Sequence, residues 1–244
     1  MRLMHILALM FVVWVLLPAF TMARVRREKR SVVRIETSEG IIRVALFDDT
    51  PLHRDNFLNK VDSGYYDGLL FHRVIRDFVI QAGDPASRDA KASEMIGDTL
   101  APADTINVIP SEIRMPYYYH KRGALAAARE SDDVNPMRNS SDSQFYIVWG
   151  KRLSRREVNA KRGCVEENTC GEWTMTSQMS EDYQQYGGVP HLDGAYTVFG
   201  EVIEGLKVVD RIQRSITDAN DRPVVDVRIL KAVVEHRSKK ACGE

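Results

Sequence analysis

The chain has 244 residues, of which 44% are hydrophobic and 28% are charged. This composition is typical of a globular protein and excludes a wholly disordered chain or one with many membrane spans. The 34 basic and 34 acidic residues cancel, which argues against a nucleic-acid partner because phosphate binding needs excess positive charge. Three cysteines are too few for a disulfide-stapled miniprotein or a zinc ribbon.

Residues 1–23 are typical of a secretory signal. An unbroken apolar run covers residues 6–20, Arg2 precedes it, and the small residues up to Ala23 fit a cleavage site. The run is short for a membrane-spanning helix, which needs about 20 residues. The basic linker at 24–30 resists translocation, so an uncleaved membrane anchor through residues 6–20 is the alternative. We expect an exported, periplasmic protein.

Residues 31–236 alternate short apolar runs with turn residues, which predicts a mainly β domain. Strands are predicted at 32–37, 41–47, 69–75, 78–82, 123–128, 144–149, 198–202 and 225–229. Thr50 as cap and Pro51 at the first position predict a helix that ends at Ser63, and residues 204–214 predict a second helix. Without repeated βαβ spacing, these elements favour a closed antiparallel barrel capped by two helices.

A polar, charged stretch at 151–190 interrupts the strand pattern and is interpreted as an insertion, most simply a solvated surface excursion. Cys164 and Cys170 within it would close a small disulfide loop if the protein is exported. A two-cysteine metal site is the weaker alternative, because the insertion contains no histidine. Residues 237–244 form a polar C-terminal tail.

The most informative run for function is 71–84. If a tight turn joins its two predicted strands, Arg73, Phe78 and Gln81 meet, and a cation, an aromatic ring and an amide share one surface. Further along, residues 143–147 alternate polar and aromatic side chains. No nucleophile–base set and no phosphate-binding loop is evident. The residues alone therefore predict a mixed apolar and polar pocket with one cation.

The order of these segments resembles the cyclophilin family of peptidyl-prolyl cis-trans isomerases, in a bacterial-like member with an insertion. The resemblance covers about residues 32–234 and rests on motifs at 71–75, 78, 81–84, 122–126, 143–147, 192–194 and 198–200. It implies an eight-stranded barrel that accelerates rotation about Xaa-Pro bonds and assists protein folding. It also implies proline-containing polypeptide partners, a monomer, and no cofactor or metal.

The resemblance assigns residue roles as well. Arg73 would be catalytic by contacting the prolyl carbonyl and donating toward the prolyl nitrogen as amide conjugation is lost, while Gln81 would orient it. The substrate-binding residues it implies are Phe78, Val79, Ala128, Gln144, Tyr146, His191, Leu192 and Tyr196. Among these, Gln144 would bind the substrate backbone.

Several positions depart from the family pattern. Val79 stands where methionine is usual, Tyr146 where phenylalanine is usual, and His191 where tryptophan or phenylalanine is common. Arg129 replaces a groove asparagine, and the loop at 97–104 has a single glycine. These changes predict weak cyclosporin binding. They also motivate one alternative, a catalytically weak proline-peptide-binding module or chaperone on the same fold. A second alternative is a membrane-tethered scaffold, with residues 6–20 as an uncleaved anchor and the insertion at 151–190 as its partner-binding surface.

Overall fold

The computed structural model describes residues 30–91, 94, 96 and 108–239. The strands are β1 (Val32–Thr37), β2 (Gly40–Leu46), β3 (Arg73–Ile75), β4 (Val79–Ala82), β5 (Val108–Ile109), β6 (Ala124–Ala127), β7 (Ser140–Ser141), β8 (Phe145–Val148), β9 (Val198–Glu204) and β10 (Ile229–His236). Eight of them form one sheet in the order β10-β1-β2-β9-β6-β8-β4-β3, and β5 pairs with β7. Every pairing in the large sheet is antiparallel.

The sheet curls until its two edges meet. Leu70, just before β3, forms an isolated antiparallel bridge with Arg228, just before β10. On either side of this bridge, the Phe71 amide donates to Val227 O and the Ile229 amide to Leu69 O, each at 2.8 Å. The expected antiparallel barrel of eight strands is therefore confirmed, and short loop segments close it in place of a full strand ladder.

Two helices cover the barrel as predicted. They are α1 (Pro51–Asp62), which buries Phe57, Leu58 and Val61, and α4 (Leu206–Gln213), which buries Val209 and Ile212 among others. These side chains join the apolar barrel interior in one cluster. Burial of this continuous apolar surface is the main force that stabilises the barrel.

The predicted last strand was misplaced. Val225, Val227 and Ile229 alternate like one face of a strand, but β10 begins only at Ile229 and continues to His236. Val225 is 80% exposed while Val227 is buried. The reason is that β1, which pairs with β10, ends at Thr37 opposite Ile229, so the residues before Ile229 form no strand ladder and make the short bridge to Leu70.

The insertion is folded: many of its residues are exposed, as expected for a surface excursion, but it also buries an apolar face. It contains two more helices, α2 (Arg155–Asn168) and α3 (Ser177–Gln185). Ser154 and Glu157 form a capping box at the start of α2. The helices enclose a second apolar cluster made of Met115, Tyr119, Leu153, Val158, Val165, Met175, Met179 and Tyr183. Cys164 and Cys170 are free thiols.

Several segments with predicted features are not among the residues that the structure describes. The predicted signal at 1–23, most of the basic linker, the loop at 97–104 and the end of the C-terminal tail lie outside the described residues. Within the described ranges, no helix is long and apolar enough to cross a membrane. The same residues contain no group of three or more His, Cys, Asp or Glu side chains suited to a metal ion.

Candidate active site

The β3–β4 hairpin places Arg73 directly opposite Gln81. The Arg73 Nη1 group donates to Gln81 Oε1 at 3.4 Å, and its Nε lies 3.6 Å from Asp221 Oδ2. The Arg73 side chain is 42% exposed. The guanidinium is thus held from one side by an amide and from another by a carboxylate, and it stays accessible to solvent.

A chain of amides supports this arginine from behind. Gln81 Nε2 donates to Gln144 Oε1 at 2.8 Å, and Gln144 Nε2 donates to Asp84 Oδ2 at 3.4 Å. Gln144 is only 4% exposed. Gly83, at φ +103°, allows the close approach, because a Cβ there would lie 2.1 Å from Ser143 O. The Gln144 amide is therefore buried and bound to both Gln81 and Asp84.

An open cleft of about 230 Å³ lies beside Arg73. Its lining consists of Arg73, Phe78, Val79, Gln81, Ala128, Arg129, Tyr146, Leu192 and Tyr196. All the predicted site residues except Gln144 and His191 are in this lining. Val79, Ala128 and Tyr146 belong to one apolar cluster, with Phe78, Leu192 and Tyr196 packed against it. The cleft thus combines apolar walls with a cation at its border.

His191 lies at the rim of the cleft. Its ring stacks on Phe78 with centroids 5.7 Å apart and an interplanar angle of 8°. Burial lowers the pKa of His191, and nearby Lys161 and His120 lower it further against the opposing effect of Asp193. The lowered pKa favours the uncharged form of the ring that stacks on Phe78.

Arg129 lines the cleft and was not among the predicted site residues. Its guanidinium lies over the Tyr196 ring at 4.4 Å, donates to Ala195 O at 2.7 Å and pairs with Asp132 at 2.6 Å. These contacts hold the Arg129 charge against the protein, whereas Arg73 is open to solvent. The family resemblance had already placed Arg129 in the groove, at the position of the usual asparagine.

His120 and Asp193 were also absent from the predicted site residues. The Tyr146 hydroxyl lies 2.9 Å from His120 Nε2. His120 Nδ1 lies 3.0 Å from Asp193 Oδ1, and both residues are buried. They are 73 positions apart in the chain, so their spacing gave no indication of a contact.

Solved structures share this architecture. A crystal structure of a cyclophilin type peptidyl-prolyl cis-trans isomerase from Cryptosporidium parvum matches with a TM-score of 0.58 and 23% sequence identity, over 85% of this chain and 99% of that chain. At this identity the likeness defines the class of fold, which is the antiparallel barrel of the cyclophilin type.

Sequence relatives define the family. The family profile described as cyclophilin type peptidyl-prolyl cis-trans isomerase/CLD matches residues 32–234. A Staphylococcus haemolyticus (strain JCSC1435) protein named "Putative peptidyl-prolyl cis-trans isomerase" is 32% identical over 84% of this chain and 91% of its own length. Peptidyl-prolyl cis-trans isomerase CYP18-1 of Arabidopsis thaliana is 29% identical over 83% of this chain and 94% of its own length. The chain belongs to the cyclophilin family, and it is a peptidyl-prolyl cis-trans isomerase.

Proposed function

We propose that the cleft beside Arg73 is where this isomerase turns over Xaa-Pro bonds, with Arg73 as the catalytic residue. The observation that carries the proposal is an accessible guanidinium, 42% exposed, at the border of an apolar cleft. Gln81 holds it in orientation through the contact at 3.4 Å. A proline ring fits the apolar walls, and its amide then lies next to a fixed positive charge.

The chemistry needs no bond cleavage. Rotation about an Xaa-Pro bond meets a barrier of about 18–20 kcal/mol because the amide loses its resonance. Only contacts that are stronger in the twisted amide than in the planar one accelerate the step. Arg73 contacts the prolyl carbonyl and donates toward the prolyl nitrogen as conjugation is lost. Because a guanidinium keeps its charge across ordinary pH, the step requires no proton transfer.

The other site residues take supporting roles in this proposal. Phe78, Val79, Tyr146 and Leu192 bind the proline ring, and Ala128 and Tyr196 lie along the peptide groove. Gln144 acts as a positioning residue for Gln81, since its buried amide is already bound on both sides. His191 extends the wall that Phe78 provides.

The substrates we propose are proline-containing polypeptides whose folding waits on slow prolyl isomerisation, which takes tens of seconds or more without a catalyst. A structure of the Cryptosporidium parvum protein was determined in the presence of the dipeptide ala-pro. A short Ala-Pro peptide is accordingly the first substrate to test. In this proposal the protein acts as a monomer. Light scattering on a size-exclusion column measures its oligomeric state.

The decisive experiment compares Arg73→Ala with Arg76→Ala in the isomerisation of an Ala-Pro peptide. Arg76 is a matched control because it is an exposed arginine on the same hairpin, where it donates to Arg214 O at 3.4 Å. We expect Arg73→Ala to lower kcat/KM by about 10²-fold, as the loss of a transition-state donor does, while Arg76→Ala keeps it. If the folded parent protein binds the peptide without turnover, the chain is instead a proline-recognition module.

The location of the protein is part of the same proposal. We propose export with cleavage after Ala23 and a periplasmic location, because residues 6–20 and Ala23 have the pattern of a signal. The mass of the protein purified from its native host tests this. Loss of residues 1–23 supports export, whereas an intact N-terminus supports an anchor through residues 6–20.

A further inference from the structure

A buried chain of hydrogen bonds connects the insertion to the cleft. From the cleft inward, the Tyr146 hydroxyl lies 2.9 Å from His120 Nε2, and His120 Nδ1 lies 3.0 Å from Asp193 Oδ1. The Tyr183 hydroxyl, from helix α3 of the insertion, donates to the other Asp193 oxygen at 2.5 Å. All four residues are buried. We refer to Tyr183, Asp193, His120 and Tyr146 as the buried relay.

The chemistry of the groups determines the direction of these hydrogen bonds. An ionised carboxylate only accepts, so Asp193 takes hydrogen bonds from Tyr183, from the His120 ring and from the His120 backbone amide at 2.8 Å. In a neutral imidazole whose Nδ1 carries the proton, Nε2 is an acceptor. With His120 in this neutral form, the Tyr146 hydroxyl donates to Nε2, and this bond fixes the orientation of the Tyr146 ring that lines the cleft.

The insertion also holds the rim of the cleft. Asn168, at the end of α2, donates from Nδ2 to His191 O at 3.0 Å and to Asp193 O at 2.8 Å. The packing beneath the rim is close, because a Cβ on Gly188 would lie 2.4 Å from His120 O and 2.6 Å from Tyr183 Cε1. Two separate points of the insertion thus constrain the same wall of the cleft.

We propose that the insertion is a positioning element for the proline pocket, in which Tyr183 acts through Asp193 and His120 to hold Tyr146 in place. This inference rests on the proposed function of the cleft. Loss of the Tyr183 hydroxyl leaves the buried Asp193 carboxylate short of one donor, and His120 must compensate by moving. Tyr146 then loses its fixed acceptor. Because Tyr146 contacts the proline ring and Arg73 acts on the twisted amide, the defect falls on KM and not on kcat.

The experiment compares Tyr183→Phe with Tyr119→Phe. Tyr119 is a matched control because its ring packs against Tyr183 with centroids 5.8 Å apart, while its hydroxyl binds Asp182 and not Asp193. Each variant loses one buried hydroxyl from the same cluster. We expect Tyr183→Phe to raise KM for an Ala-Pro peptide about threefold or more, with kcat retained. Tyr119→Phe should leave KM unchanged, even if both variants melt at a lower temperature.

A second pair of variants separates the relay from a general loss of stability. In a Tyr146→Phe background, which removes the hydroxyl at the cleft end, Tyr183→Phe should raise KM no further. If Tyr183→Phe does not fold, Asn168→Ala tests the same role at the rim and should also raise KM. Equal KM for Tyr183→Phe, Asn168→Ala and the parent protein would overturn the inference. Failure of Arg73→Ala to lower turnover would instead overturn the proposed function of the cleft.

Discussion

At the scale of single residues, Asp221 is the neighbour that most directly affects Arg73. Its carboxylate lies 3.6 Å from Arg73 Nε, and both side chains are nearly half exposed. An exposed ion pair of this kind contributes about 0–1 kcal/mol. If Arg73 contacts the prolyl carbonyl as proposed, the same carboxylate competes with that carbonyl for the guanidinium.

We therefore predict that Asp221→Asn raises kcat/KM for an Ala-Pro peptide by about two- to threefold, the factor that corresponds to a weak exposed ion pair. The substitution should be tolerated, because Asp221 has a φ of +59° and asparagine adopts this region readily. The Asp221 carbonyl, which accepts from the Val74 amide at 2.7 Å, is unchanged. A fall in kcat/KM would mean that the carboxylate holds Arg73 in its active orientation.

At the scale of elements, the start of helix α1 has a capping arrangement that its local sequence does not reveal. Thr50 occupies the N-cap position, but its hydroxyl donates to Phe47 O at 3.3 Å and does not cap the helix. The cap comes from Glu112, whose carboxylate accepts from the amides of Leu52 at 3.2 Å and His53 at 3.0 Å. A carboxylate at a helix N-terminus is stabilised by both these hydrogen bonds and the helix dipole.

We predict that Glu112→Gln lowers the free energy of unfolding by about 1–2 kcal/mol at neutral pH, since an amide accepts through only one oxygen. Burial raises the pKa of Glu112, but hydrogen bonds from the His53 ring and from the His53 and Leu52 amides outweigh it and lower the pKa overall. The stability from Glu112 is thus present above the pKa of an unfolded glutamate and is lost as pH falls through the lower folded value. Urea titrations should show this loss in the parent and in the exposed control Glu166→Gln, but not in Glu112→Gln.

The elements that local sequence predicts well are those stabilised by neighbours close in the chain. The hairpin of β1 and β2, helix α1, the β3–β4 hairpin and helix α4 all occur where their patterns indicated. Helix α2 was missed because it buries only Val158 and Val165, seven positions apart, which is too sparse a pattern to indicate an apolar face. Their partners, including Met115 and Tyr119, come from a different part of the chain.

In the candidate active site, too, contacts between residues close in the chain were predictable and contacts between distant residues were not. The cleft lining followed from motifs in which Arg73, Phe78, Val79 and Gln81 share one hairpin. The buried position of Gln144 could not be predicted, because it depends on Asp84 and Gly83 packing against a strand about 60 residues further along. The contact between His120 and Asp193 likewise arises only when distant segments pack together.

At the scale of the whole molecule, the buried His72 makes the stability of the barrel depend on pH in the acid range. It directly precedes Arg73 in the chain and is buried. Burial lowers the pKa of His72 to about 4, against the opposing charge of Asp84. The folded barrel therefore holds a neutral imidazole at a pH where the unfolded chain carries an imidazolium.

This difference predicts a decline in stability with acid that precedes the loss from Glu112. An unfolded histidine titrates near pH 6.5, so the unfolded state gains a proton below that pH while the folded state does not until about pH 4. As the pH falls from 6.5 to about 4, the free energy of unfolding should decrease by up to about 3 kcal/mol. Below about pH 4, His72 causes no further decrease. Urea titrations from pH 7.5 to 4 on the parent and on His72→Gln measure this. We expect the slope to flatten in His72→Gln, whose amide does not titrate, and an unchanged slope would mean that the barrel admits a proton or water to His72 before it unfolds.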